Sequence, residues 1–76
     1  MIIEKIGNTI KFEDNNIIKL YPLGSLLLIA NDDSNSINVR LIGSRKNVIT
    51  FDYKSVTNIQ STSATDLVNT LNELIN

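Results

Sequence analysis

The residues from Ser63 to Ile75 constrain this chain more than any other stretch. Ala64, Leu67, Val68, Leu71, Leu74 and Ile75 fall on one side of a 3.6-residue period. Thr65, Asp66, Asn69, Thr70, Asn72 and Glu73 fill the other side. Ser63 suits an N-cap, and Asp66, three residues on, sits near the positive end of the helix dipole. The spacing predicts one amphipathic helix over 63–76, with the six apolar residues as its core face. A helix this short is marginal alone in water, so its stripe needs a surface to cover. The rest of the chain reads as β and has to supply that surface.

Six short extended runs precede the helix. Ile2–Ile6 and Thr9–Glu13 flank Gly7-Asn8, a favoured two-residue hairpin connection. Asp14-Asn15-Asn16 is a turn by composition, and Ile17–Tyr21 is a third run ended by Pro22. Proline cannot donate to a central ladder, so this third strand is expected at a sheet edge. Ser25–Asn31 is the strongest strand, and its centre, Leu26 to Ala30, is wholly apolar. After the polar turn 31–35, Ser36–Ile42 alternates, with Ile37, Val39 and Leu41 on one face. Asn47–Tyr53 follows the tip Gly43–Lys46, with Ile49, Phe51 and Tyr53 inward. Residues 54–62 read as a polar connector pegged by Val56 and Ile59. The expected fold is α+β and a single domain over 1–76. It is an antiparallel meander of five to six strands, an open sheet or a small barrel, closed by the C-terminal helix.

Composition narrows the chemistry. The chain has 76 residues, no Cys and no His. No disulfide or thiolate metal site is therefore possible, and the usual acid–base side chain near neutral pH is missing. Seven basic and eight acidic residues leave a net charge of −1, which gives no bulk attraction to nucleic acid or anionic membrane. No apolar run approaches the length of a transmembrane segment, and the N-terminal residues do not read as a signal peptide.

Three features have some of the ingredients of a site. Asp32, Asp33, Ser34, Asn35 and Ser36 place oxygen ligands at alternate positions, but they lack the glycine and distal glutamate of a calcium loop and read as a hairpin turn. Arg45 and Lys46, with Arg40 nearby, make a basic tip that reads as a solvated turn or as the rim of a protein interface. The carboxylates Glu4, Glu13, Asp52, Asp66 and Glu73 are scattered, and no nucleophile–base signature accompanies them. No catalytic residue, cofactor or metal ligand is expected. The most informative feature after the helix is the two-sided apolar strand. One helix covers one face of a sheet. The other face is closed by curling of the sheet, or Leu26, Leu28 and Ala30 dock a partner or a second copy.

At Ile49–Asn58 and Ser63–Ile75 the pattern becomes familiar. Phe51, Tyr53 and Val56 form an F-x-Y-x-x-V strand exit, and a Ser-rich link then leads to a helix opening Ser63-Ala64. This resembles small β-rich proteins of tailed phages infecting Bacteroidetes-type hosts, crAss-like phages included, over roughly the last 28 residues. The resemblance implies a non-enzymatic structural protein of the virion, such as a capsid-auxiliary or other head component, assembled in the host cytoplasm. Its partners would be other protein subunits, with no membrane or small-molecule substrate. The alternative expectation is a small binding module, a pleckstrin-like sheet capped by a helix, recognising a peptide or a host protein.

Overall fold

Each half of the strand region folds on itself. The computed structural model describes residues 1–75, so the expected helix end at residue 76 lies outside the described residues. Strands β1 (Ile2–Ile6), β2 (Thr9–Asp14) and β3 (Ile17–Pro22) form one antiparallel sheet in the order β1-β2-β3. Strands β4 (Leu26–Asn31), β5 (Ser36–Leu41) and β6 (Asn47–Asp52) form a second, in the order β4-β5-β6. A single 3₁₀ turn at Tyr53–Ser55 opens the connector, and helix α1 runs from Ala64 to Ile75.

Turn chemistry sets these hairpins. Gly7 has φ +56°, the left-handed conformation that a two-residue β1–β2 connection needs at its first position. Asn15 and Asn16 both have positive φ, 48° and 68°, as a type I′ hairpin turn requires. Asparagine adopts this region more readily than other residues with a Cβ.

The expected single meander is two sheets, and neither closes into a barrel. β3 pairs only with β2, and β4 pairs only with β5. The division falls at Pro22, whose carbonyl accepts from the Ser25 N–H (3.2 Å) to close a tight reversal. That reversal carries the chain out of one sheet and into the other before a β3–β4 ladder can form.

The two sheets and the helix share one core. Ile3, Ile10 and Phe12 come from the first sheet, and Leu26, Leu28, Ile37, Val39 and Phe51 from the second. Phe12 and Phe51 meet across the layers with ring centroids 6.4 Å apart. From the helix, Ala64, Leu67, Val68, Leu71 and Ile75 are buried, and half-buried Leu74 packs at the margin. The helix lies chiefly against β4.

Its N-terminus is capped twice. The Ser63 hydroxyl accepts from the Asp66 N–H at 3.0 Å, the local cap. Asp32, in the β4–β5 turn, reaches across to accept from the Thr65 N–H (3.0 Å) and the Thr65 hydroxyl (2.5 Å). The acid with the look of a calcium ligand thus serves the helix dipole instead.

Candidate functional site

The strand Leu26–Ala30 sorts its apolar residues by parity. Leu26 and Leu28 are buried and Ala30 is half-buried, all facing the shared core. Leu27 is 48% exposed on the opposite face, and Ile29 beside it is half-buried. Leu26, Leu28 and Ala30 are therefore not an outer docking surface, which corrects the expectation from sequence. The uncovered residues of this strand are their odd-numbered neighbours. Because side chains alternate with period two, a shift of one residue exchanges the faces.

The basic residues of the β5–β6 region differ in their setting. Arg40 is half-buried and donates its Nε–H to Asn47 Oδ1 at 2.7 Å across the β5–β6 ladder. Arg45 and Lys46 are exposed in the β5–β6 tip. The Ser44 hydroxyl accepts from the Lys46 N–H at 3.1 Å and holds that tip in shape.

The strongest surface feature lies on β3. Ile17, Ile18 and Leu20 are 62%, 56% and 57% exposed. Pairing puts Ile18 and Leu20 on the outward face of the first sheet, opposite Glu13 and Lys11. On that face Lys11 pairs with Glu13 (3.2 Å) and Glu4 (3.7 Å). The Glu13 carboxylate is the main cause raising the Lys11 ammonium above its ordinary pKa, opposed by partial burial and supported by the charge of Glu4. The ionic row is thus internally matched, and the apolar side chains beside it are not covered.

The inward face of β3 borders a cleft of about 290 Å³ between the two sheets. Phe12 contributes its floor, Ile17 and Lys19 one wall, and Val48, Ile49 and Thr50 of β6 the other. A β-bulge shapes that second wall. Val39 pairs with Ile49 and Arg40 with Asn47, so Val48 is the extra residue. Val48 is half-buried rather than outward as alternation alone predicts. The Lys19 ammonium donates to the Val48 carbonyl at 3.0 Å and bridges the two walls.

The edges of the sheets are not equivalent. On β1 the Asn58 side chain takes the place of a neighbouring strand. Its Oδ1 accepts from the Ile3 N–H (3.1 Å) and its Nδ2–H donates to the Ile3 carbonyl (2.8 Å). The Thr57 N–H donates to the Met1 carbonyl at 2.9 Å and extends this closure. On β3, no backbone bond beyond the β2 ladder engages Ile17 to Tyr21 among the described residues.

The sequence points to β3 as an edge through Pro22. The Asn58 closure carries no sequence signal beyond an amide in a polar connector. No group of three or more acidic residues that could hold a metal ion occurs among the described residues. No described helix is long and apolar enough to cross a membrane.

The architecture defines the class: an α+β domain of two three-stranded antiparallel sheets and a C-terminal helix, in which the apolar β3 edge from Ile17 to Tyr21 carries no further backbone bond among the described residues. Comparison of the chain with known protein families, with curated proteins and with solved structures gives no match.

Proposed function

We propose that the chain is a non-enzymatic assembly protein that acts through contacts with other protein subunits, as a component of a tailed-phage virion. The observation that carries the protein-contact reading is β3, an edge strand whose Ile17, Ile18 and Leu20 are each more than half exposed. An unpaired edge with apolar side chains is a template for strand addition, and folded proteins ordinarily blunt such edges. The virion setting draws its support from the resemblance carried by Phe51, Tyr53, Val56 and the helix opening at Ser63. Mass spectrometry of purified particles, with size-exclusion light scattering of the isolated chain, tests the reading. The chain is expected in the particles, and Ile18→Lys with Leu20→Lys is expected to remove it from them while leaving the circular dichroism spectrum unchanged. A chain absent from particles and strictly monomeric in solution would overturn the proposal.

The cleft beside β3 favours a second reading, a small module that recognises a peptide or a host protein. Capture of one specific soluble partner, lost on substitution of Ile49 or Lys19, is the outcome that separates this reading from the first.

A further inference from the structure

The hydrogen-bonding groups at the β3 edge can be assigned from hairpin geometry. In a two-residue hairpin, the residues flanking the loop form a hydrogen-bonded pair, and bonded and non-bonded pairs alternate from there. In the β1–β2 hairpin that pair is Ile6 and Thr9, which leaves Ile3 turned to the outer edge. Asn58 bonds Ile3 at that place, as the rule requires. In the β2–β3 hairpin the flanking pair is Asp14 and Ile17. Ile17, Lys19 and Tyr21 therefore bond toward β2, and Ile18 and Leu20 offer their N–H and C=O groups to the open edge.

The charge beside this edge is one-sided. Lys19 is exposed, and among the described residues its one acceptor is the Val48 carbonyl. Arg45 and Lys46 are exposed a few residues before Val48 in the chain. None of the three has a carboxylate within 4.0 Å among the described residues. The acid on the cleft wall, Asp14, lies at the β2–β3 turn end and sits 4.0 Å from the Met1 amino group.

A second copy of the chain fits poorly. The antiparallel register that uses both Ile18 and Leu20 sets Ile18 of one copy against Leu20 of the other. Lys19 of each copy then meets Lys19 of the other in the non-bonded pair at the centre, where side chains approach most closely. Like charges directly opposite one another destabilise a ladder. A carboxylate in the same position reverses the sign.

We propose that β3 docks an extended segment of a different protein, with an acidic side chain opposite Lys19 and apolar residues opposite Ile18 and Leu20. This rests on the assembly reading above and names the chemistry of its partner. The added strand bonds the free groups of Ile18 and Leu20. Its acidic side chain lies on the cleft side, where Lys19 meets it and where Arg45 and Lys46 add to the field, and its apolar residues cover the outward side chains of β3.

Two synthetic peptides test this on the intact chain: acetyl-Thr-Val-Glu-Val-Thr-amide and the same peptide with Lys in place of Glu. Nitrogen-15 spectra and amide exchange are read at low salt. The Glu peptide is expected to shift the Ile18, Lys19 and Leu20 resonances and slow exchange at Ile18 and Leu20. It is expected to bind about 3- to 10-fold more tightly than the Lys peptide, the range of a cross-strand charge reversal. Lys19→Glu, an exposed substitution, is expected to invert that preference. Equal binding of both peptides at β3 would overturn the acidic partner while leaving the assembly reading standing. Absence of β3 shifts with either peptide would overturn docking at this edge, and a dimer formed through β3 would overturn the choice of occupant. Presence in particles is measured separately, so the two proposals fail independently.

Discussion

Asn58→Ala isolates one contact that holds the connector against β1. The wild-type amide makes two bonds to one residue, accepting at 3.1 Å and donating at 2.8 Å on Ile3. A net intramolecular hydrogen bond contributes about 1 kcal/mol, so the substitution is expected to cost about 2 kcal/mol. A chain of 76 residues has a total stability of roughly 4–11 kcal/mol at typical per-residue values, so this is a large fraction. At about 4–8 °C per kcal/mol for a domain of this size, the melting temperature should fall by about 8–16 °C. Urea unfolding followed by circular dichroism gives the free energy, and amide exchange at Ile3 locates it. Asn58→Asp adds a sign test. Its carboxylate still accepts from the Ile3 N–H but sets a second acceptor against the Ile3 carbonyl. It should cost more than alanine at neutral pH; the repulsion raises the folded pKa of the new carboxyl above its unfolded value, so the excess should shrink as the pH falls through that raised value and be gone by about pH 4. A loss below about 0.5 kcal/mol for Asn58→Ala, with Ile3 exchange unchanged, would refute the claim that this amide replaces a neighbouring strand.

Two further outcomes follow from the core and the helix cap. The Thr65 hydroxyl first, then the Thr65 and Ala64 backbone N–H groups, hold the Asp32 carboxyl below its ordinary pKa. A depressed carboxylate contributes stability above its unfolded value, near 3.9, and loses that contribution as the pH falls through the lower folded value. Asp32→Ala should therefore lower the urea midpoint at neutral pH, with the gap to wild type closing from about pH 4 downward; a gap independent of pH would count against the ionised cap. Leu28→Ala should cost about 2–5 kcal/mol because it opens a cavity in the core. Leu27→Ala, on the exposed face, should stay within about 0.5 kcal/mol. Equal costs in urea unfolding would contradict the assignment of faces.

Elements whose signals are local were legible in the sequence. Gly7-Asn8 marked a hairpin because a two-residue connection needs positive φ, which few residues supply, and Asp14-Asn15-Asn16 marked a turn by composition. The helix was legible because its stripe repeats over three turns. Leu26 to Ala30 was not, because five successive apolar residues carry no alternation to say which set faces the core. That choice is made by Val39 and Ile37, which oppose Leu28 and Ala30 across the ladder. The split into two sheets escaped for a related reason: which strands pair depends on the path after Pro22, not on strand propensity. Val48 was displaced by a bulge that period-two counting cannot foresee. Asp32 and Asn58 looked like ordinary turn and connector residues, and their partners, Thr65 and Ile3, lie 33 and 55 positions away.

The order of strands also shapes how the chain reaches its native state. Each ladder joins strands that are neighbours in sequence, so both sheets can form by closing short loops before any distant contact is made. The distant contacts, Asn58 with Ile3 and Asp32 with Thr65, are clasps across 55 and 33 positions and are expected to close after these local ladders. Interactions formed after the rate-limiting barrier leave the folding rate nearly unchanged and act as brakes on unfolding. The clasps would then set how long the native state persists rather than how fast it is found.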